Sequence, residues 1–173
     1  MDNGVDVLAH TAPPAGKLEP ELLERMRARK VALIPTLMLW RWELERHQVP
    51  PFVVQRYTAD GVGQLHDYHA VGGEVLFGTD VGYMKEYDPA EEYALMARAG
   101  LDLRAILTSL TTAPAARFAG GDAQGTAPGT VAVGAPGDLV VLDGDPAQDV
   151  TAFARAAMTI RRGQLVFSRH SEP

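Results

Sequence analysis

The chain contains an apolar run at residues 74–77 that ends abruptly on the tripeptide Gly78-Thr79-Asp80. Such a run indicates a buried β-strand, and it leaves the carboxylate of Asp80 at the C-terminal end of that strand. In a (β/α) barrel, the C-terminal ends of the parallel strands carry the chemistry. This feature therefore favours an α/β fold with a functional group at Asp80.

Strand and helix patterns alternate three times before residue 120. The apolar runs at 5–9, 31–34 and 74–77 are continuous, which is typical of parallel strands whose two faces are both covered. Alternation of such strands with helical patterns is typical of parallel sheets joined by crossover helices. The first helical pattern opens at Glu19, and the later ones cover 40–48, 53–70, 89–99, 103–110 and 113–118. The sequence therefore predicts the fold class α/β.

The composition changes after residue 118. Residues 119–129 are rich in Gly, Ala and Thr and are predicted to form a loop or linker. Strand-like runs follow at 130–133, 138–142, 158–161 and 164–167, and Arg162-Gly163 predicts a tight hairpin between the last two. We therefore expect two domains, an α/β part at 1–120 and a small β-module at 121–173.

Composition excludes several classes of function. With a net charge of −6 and no Lys/Arg cluster that could supply a basic face, the chain is not expected to bind nucleic acid. The densest basic run, at 25–30, lies late in a helical pattern, where cations offset the helix dipole. No apolar run approaches the roughly 20 residues of a membrane span, so no membrane association is expected. The sequence has no cysteine, which excludes disulfides and thiolate metal sites and leaves His and carboxylate as metal ligands. Absence of disulfides favours the cytoplasm.

His10 ends the first apolar run as Asp80 ends the third, which makes the pair a candidate site. Each has an ordinary alternative, because Asp is a favoured helix N-cap and a lone His at a strand end is often structural. His66 and His69 lie three apart on one helix face, a spacing that could bind a metal, but a surface pair is the favoured interpretation. His47 and His170 have no such company.

In their order and spacing, these segments resemble the C-terminal portion of metal-dependent amidohydrolases of the imidazolonepropionase-like and Xaa-Pro-dipeptidase-like kind. The resemblance covers residues 4–168 approximately. Two small departures are Gly137 and Ala113, where the family commonly has Ala and Asn. The segments that carry the resemblance are 4–10, Gly78-Thr79-Asp80-Val81-Gly82, 111–116 and 137–146.

The resemblance implies a partial (β/α) TIM-type barrel, comprising strands six to eight with their helices, followed by part of the family's composite β-sandwich. It implies that Asp80 is a metal ligand and general base, and that His10 ligates the metal or orients the attacking water. Trp40, Arg41 and Tyr83 would line the substrate pocket, with a core or surface role as the equal alternative. The implied cofactor is a divalent metal, with zinc first and manganese or iron next. The implied activity is hydrolysis of carbon–nitrogen bonds in small amides, cyclic amides or dipeptides.

Much of the family's metal site has no counterpart here. The family also uses a His-x-His pair, often a carboxylated Lys, and another His from strands one, four and five, and the sequence contains no His-x-His. His10 and Asp80 alone fall short of the three protein ligands of a catalytic zinc. We therefore expect the site to be incomplete, metal binding by this chain alone to be weak or absent, and the chain alone to be inactive.

The chain is too short to form a closed eight-stranded barrel by itself. The chain has 173 residues, whereas a closed eight-stranded barrel takes about 250. Three parallel strands cannot close a barrel, and their open edges invite pairing with another chain. The strand pattern that starts at Val5 is expected of a chain cut from a longer one. We expect self-association, or a partner that supplies the missing strands. The alternative is a non-catalytic, truncated or split-barrel fragment that acts as a structural or interaction partner.

Overall fold

The structure, a computed structural model, describes residues 4–118 and 129–169. Residues 4–118 alternate strands with helices, and residues 129–169 form a separate antiparallel sheet. The first part comprises β1 (Val7–Ala9), α1 (Pro20–Ala28), β2 (Ala32–Ile34), α2 (Leu37–Arg46), α3 (Pro51–Ala70), α4 (Ala90–Arg98), α5 (Leu103–Leu110) and α6 (Thr112–Phe118), with a 3-10 helix at Pro13–Ala15. The second comprises β3 (Leu139–Leu142), β4 (Ala156–Arg161) and β5 (Gln164–Ser168), with a 3-10 helix at Val150–Ala154.

Three extended segments lie side by side in parallel. β1 pairs with β2 over three residues, with Leu8 opposite Leu33. On the other side of β2, the Leu33 amide donates to the Glu74 carbonyl and the Leu76 amide donates to the Leu33 carbonyl, both at 2.9 Å. The predicted strand at 74–77 is thus shorter than expected, a single parallel bridge at Val75, because the Phe77 amide turns away to the Ser109 carbonyl. We call β1, β2 and residues 75–77 the three parallel segments.

One arginine ties together the amino-terminal ends of the three parallel segments. Arg117 of α6 donates to the carbonyl of Asp6 at 3.1 Å and to the carbonyl of Lys30 at 2.6 Å. The same guanidinium forms an ion pair with Glu74. A planar fork of several donors suits such a shared role, which a lysine could not reproduce. The contact explains why α6 belongs structurally with the α/β part.

The core lies between β2, residues 75–77 and helices α1 to α5. Leu33 on β2 is buried, and Leu65 and Tyr68 on α3 are fully buried beneath it. The Tyr68 hydroxyl donates to the Val31 carbonyl, so even the polar end of this ring is satisfied inside the core. Among the described helices, including the 20-residue α3, none combines the length and the apolarity that crossing a membrane would require.

The β-module is a three-stranded antiparallel sheet in the order β3-β4-β5. The predicted hairpin at Arg162-Gly163 is confirmed, and both residues have positive φ, as a type I′ turn requires. The predicted strand at 130–133 is wrong. There the chain turns, with the Ala135 amide donating to the Ala132 carbonyl, and no neighbouring strand in the described residues pairs with it. The predicted linker at 119–129 lies almost entirely outside the described residues.

The sheet of the β-module leaves large apolar side chains exposed. Strand β3 and strand β5 are exposed along most of their lengths, so no packed layer of the described residues covers this sheet. The exposed apolar residues on these strands and on β4 are Leu139, Val140, Val141, Met158, Leu165, Val166 and Phe167. An apolar surface of this kind favours contact with another polypeptide.

The β-module contacts the α/β part through a row of aromatic rings. Phe77 stacks on Tyr93 of α4 with ring centroids 4.6 Å apart, and Tyr93 contacts Phe153 at 5.4 Å. Phe153 lies in the 3-10 helix that precedes β4, so this row joins the third parallel segment to the β-module. The division into domains at residues 120 and 121 stays a prediction.

Gly78 is required by close packing rather than by its backbone angles. A Cβ built at residue 78 would lie 2.5 Å from Cγ2 of Ile34 on β2. We predict that Gly78→Ala lowers the free energy of unfolding by about 1–3 kcal/mol, because the added methyl group overpacks the space between the two segments. Urea unfolding of the purified chain measures the change.

The matched control is Gly63→Ala in α3, where a Cβ meets nothing within 4 Å. That variant should raise the free energy of unfolding by about 0.5–1 kcal/mol, because alanine is the better helix former. In a double-mutant cycle, Ile34→Ala should cost less stability in the Gly78→Ala chain than in the wild-type chain, because it removes the methyl group that the new Cβ meets. Equal, small effects of the two glycine substitutions would contradict the packing explanation.

Candidate active site

Three residues follow the three parallel segments at their carboxyl-terminal edge. His10 follows β1, Thr36 follows β2, and Asp80 follows residues 75–77. All three have a left-handed backbone, with φ of 71°, 46° and 65° respectively. The other described non-glycine residues with positive φ are Lys30 and Gln48, which follow helices, and Arg162 in the hairpin. Such conformations cost about 1–3 kcal/mol each and cluster at functional sites, so their alignment here marks a candidate active site.

His10 is anchored through one ring nitrogen. Its Nδ1 lies 2.7 Å from Oγ1 of Thr36, and its backbone amide donates to the Ile34 carbonyl at 2.8 Å. The other ring nitrogen, Nε2, has no hydrogen-bond partner among the described residues, and the side chain is half-buried. The imidazole is therefore held in place while one nitrogen stays available for chemistry.

Asp80 is held through its backbone, and its carboxylate is unengaged. The Asp80 carbonyl accepts from the amides of Tyr83 and Met84, both at 3.2 Å, and Val81 donates to Oγ1 of Thr79 at 3.3 Å. The carboxylate of Asp80 accepts no hydrogen bond from the described residues. It therefore does not cap the segment that follows, which was the ordinary alternative for an aspartate at this position.

The parallel order places His10 and Asp80 two strand intervals apart, with Thr36 between them. Two intervals amount to about 10 Å between backbones, and both side chains start from the same edge. Within the described residues, however, no group of three His, Asp or Glu side chains could hold a metal ion. Two donors do not fit a catalytic zinc centre, so the described residues do not by themselves form one.

Trp40 borders this edge. Its Nε1 donates to Oγ1 of Thr11 at 3.2 Å, and Thr11 directly follows His10. The indole also contacts the ring of Tyr57 edge-on, with centroids 6.4 Å apart. The structure thus places Trp40 beside the candidate site, and its predicted role in substrate binding stays a prediction.

Arg41 and Tyr83 are engaged by carboxylates. Arg41 forms ion pairs of 2.6–2.7 Å, which raise the pKa of its guanidinium further. Its three partners are Glu45, Glu86 and Glu91. The Tyr83 hydroxyl donates to Glu43 at 3.1 Å, and its ring contacts Trp42 edge-on. Substrate binding by Arg41 and Tyr83 also stays a prediction.

The remaining histidines lie elsewhere. Nδ1 of His66 donates to the Ala99 carbonyl at 3.0 Å, beyond the end of α4, and His47 pairs with Glu43 on the surface. His69 lines a groove of about 370 Å³ near the start of the third parallel segment, which neither His10 nor Asp80 lines. His170 lies outside the described residues.

Sequence reasoning missed Glu92, a fully buried carboxylate on α4. Its two oxygens accept from the backbone amides of Leu37 and Met38, each at 2.8 Å, at the amino terminus of α2. Burial raises the pKa of Glu92 to about 7, although the two amide donors pull it down. A signal was present, because Glu92 shares the apolar stripe of α4 with Leu95 and Met96.

The raised pKa of Glu92 gives stability a defined pH dependence. The folded chain holds a proton on Glu92 between its ordinary value of 4.5 and about 7, whereas the unfolded chain does not. Protonation of Glu92 therefore contributes to the free energy of unfolding, on the order of 3 kcal/mol in total. This contribution is fully present below pH 4.5 and is lost as the pH rises through about 7. Urea unfolding at several pH values measures it.

Glu92→Gln is the matched variant, because glutamine has the same shape and does not titrate. The free energy of unfolding of the wild-type chain minus that of Glu92→Gln should fall between pH 5 and pH 8. A difference that stays constant, or rises, over this range would show that Glu92 is ionised throughout.

The chain is similar to known proteins in sequence and in fold. The sequence model of the amidohydrolase family matches residues 14–166. No protein with a curated description matches the chain by sequence.

Three solved structures illustrate the similarity of fold. A Xaa-Pro dipeptidase with bound methionine in the active site superposes with a TM-score of 0.75 at 21% identity, over 95% of this chain and 40% of that one. A prolidase complexed with N-methylphosphonate-L-proline gives 0.72 at 28% identity, over 96% and 41%. A putative prolidase from Bifidobacterium longum gives 0.71 at 26% identity, over 98% and 44%. The chain thus spans about two-fifths of the length of the structures that it matches.

Proposed function

The chain belongs to the amidohydrolase family, and from this premise we propose that it forms the C-terminal part of a metal-dependent hydrolase of carbon–nitrogen bonds. The family match over residues 14–166 supports the hydrolase lineage. The observation that carries the proposal is the row of three left-handed residues, His10, Thr36 and Asp80, along one edge of the parallel segments. A barrel enzyme keeps its catalytic groups at that edge.

In this proposal, Asp80 is the general base. Its carboxylate has no partner among the described residues, so it is available to take a proton from water and pass it to a leaving nitrogen. His10 orients the reacting group through the free Nε2. The complete enzyme would use a divalent metal, with zinc proposed first and manganese or iron next, to which His10 and Asp80 would supply only part of the ligand set.

Dipeptides and related small amides are the proposed substrates. Support comes from the neighbours, which include a Xaa-Pro dipeptidase with bound methionine and a prolidase complexed with a proline phosphonate. Trp40, Arg41 and Tyr83 are proposed to line the pocket, and Trp40 already borders the edge through Thr11. The absence of cysteine fits the cytoplasmic location that we propose.

We propose that residues 1–120 correspond to strands six to eight of the barrel and residues 121–173 to part of the sandwich domain. The parallel pairing of three segments with their helices supports the first assignment. The antiparallel order of β3, β4 and β5 supports the second.

A second candidate function is that of a non-catalytic fragment that binds another polypeptide. Two observations favour it: the described residues offer no three-ligand metal site, and the sheet of the β-module is exposed. The two functions differ in whether the chain becomes active once the missing strands are supplied.

The metal proposal predicts different behaviour for the chain alone and for a complemented complex. Zn²⁺ or Mn²⁺ titrated into the chain alone should show no binding tighter than micromolar by calorimetry, because two donors are too few. Mixed with the amino-terminal part of a prolidase-like relative, the chain should bind metal and hydrolyse a Xaa-Pro dipeptide. Asp80→Asn should then lower the rate at least about 100-fold.

The matched control is Asp60→Asn on α3, whose 3.6 Å ion pair with Arg56 joins an exposed arginine to a partly exposed carboxylate. It should leave the rate of the complemented complex unchanged. A complex that binds metal and keeps full activity with Asp80→Asn would refute the catalytic role. A complex that never becomes active would favour the second candidate function.

The exposed sheet predicts association of the isolated chain. Light scattering should show species larger than the 18.6 kDa monomer, and an apolar dye should bind to them. Val140→Lys with Val166→Lys should lower both signals, because both side chains are exposed on strands of that sheet. A monodisperse wild-type monomer that binds no dye would contradict an open apolar surface.

A further inference from the structure

Thr36 occupies the N-cap position of α2 but does not cap the helix. A threonine in this position normally turns its hydroxyl toward the amide of the second or third helical residue. Here the Thr36 hydroxyl donates instead to the Pro35 carbonyl at 2.8 Å, and the same oxygen lies 2.7 Å from Nδ1 of His10. The Thr36 hydroxyl therefore bonds to groups at the carboxyl-terminal edge of the strands and not to the amides of α2.

Glu92 takes over the capping role from 56 positions away. Its carboxylate accepts from the amides of Leu37 and Met38, which are the first two residues of α2. Leu37 directly follows Thr36, whose backbone is left-handed, a conformation that a β-branched residue rarely adopts. Thr36 is 2% exposed and Glu92 is 0% exposed, so both contacts are shielded from water.

The hydrogen bonds of Thr36 bear on which nitrogen of His10 carries the proton. A hydroxyl has one hydrogen, and the Thr36 hydroxyl lies 2.8 Å from the Pro35 carbonyl, which can only accept and which also accepts from the Thr11 amide at 3.1 Å. With that hydrogen directed at Pro35, Oγ1 accepts from Nδ1–H of His10, whereas a hydroxyl directed at His10 would require Nδ1 to be the acceptor. A neutral imidazole protonated at Nδ1 has its lone pair on Nε2, which faces no described partner.

We propose that Thr36 and Glu92 are positioning residues that hold His10 as the Nδ1–H tautomer and present the Nε2 lone pair at the candidate active site. Thr36 contacts His10 directly. Glu92 acts through Thr36, because it caps α2 and so leaves the Thr36 hydroxyl to bond at the strand edge. The inference deepens the proposed function and rests on it for the use of Nε2. When a histidine ligates or accepts through one ring nitrogen, the hydrogen-bond partner of its other ring nitrogen fixes the tautomer and the orientation of the ring.

Long-range ¹H–¹⁵N correlation spectra of the full chain, recorded without metal at a pH where the imidazole is neutral, test the tautomer directly. The wild-type chain should show His10 protonated at Nδ1, identified by the loss of its signals in His10→Gln. Thr36→Val, which keeps the shape and removes the hydroxyl, should move the population toward Nε2–H. Thr36→Ser, which keeps the hydroxyl, should retain the wild-type pattern.

Glu92→Gln separates positioning from mere stability. It should also shift the His10 tautomer, although Glu92 does not contact His10, because the Thr36 hydroxyl is drawn back to the helix end. Glu74→Gln is the control: it weakens the ion pair with Arg117 at the opposite end of the segments and should leave the tautomer unchanged.

Two results would overturn the inference: a wild-type His10 protonated at Nε2, or a Thr36→Val chain that keeps its fold and its Nδ1–H tautomer. If Thr36→Val fails to fold, a Glu92→Gln chain that keeps the wild-type tautomer would overturn the inference in its place. None of these readouts needs a bound metal or an active complex, so failure of this inference is distinguishable from failure of the proposed hydrolase function.

Discussion

The parallel pairing of three short segments is the constraint on which the candidate site depends. β2 lies in the middle and bonds to β1 on one side and to residues 75–77 on the other. Because the segments run in the same direction, the residues that follow them meet at one edge. Arg117 fixes the opposite edge by bonding to the starts of all three. The positions of His10, Thr36 and Asp80 follow from this arrangement rather than from any local motif.

Hydrogen bonds hold the residues of the candidate site in place, whereas two of its functional groups are unengaged. His10 is held by Thr36, Asp80 by its backbone turn, and the start of α2 by the buried Glu92. The carboxylate of Asp80 and Nε2 of His10 remain unengaged within the described residues. Strained backbone of this kind clusters at functional sites, which is consistent with the proposed function. In the proposed function, another stretch of polypeptide would supply further metal ligands.

Sequence reasoning predicted the α/β alternation and the two strand ends because their signals are local. Apolar runs, helix openers such as Pro20 and the Arg162-Gly163 hairpin can each be recognised within a few residues. It failed at 130–133, where two valines resemble a strand but no partner strand lies beside them. It missed the contacts of Thr36 and Glu92 because these join residues 26 and more than 50 positions apart. For the contact of Glu92 alone, the sequence held a signal, an acidic residue within the apolar stripe of α4.

The central claim is that His10 and Asp80 share one site, and the absence of cysteine from the sequence allows a direct test. The double variant His10→Cys with Asp80→Cys introduces only two thiols, whose cadmium–thiolate absorption can be titrated. The account predicts one Cd²⁺ per chain, bound at least about 100-fold more tightly than by either single variant, because chelation by two held thiols gains from effective concentration. A control pair, His10→Cys with Asp60→Cys, should show no such gain. Binding by the first pair no tighter than by the single variants would contradict a shared site.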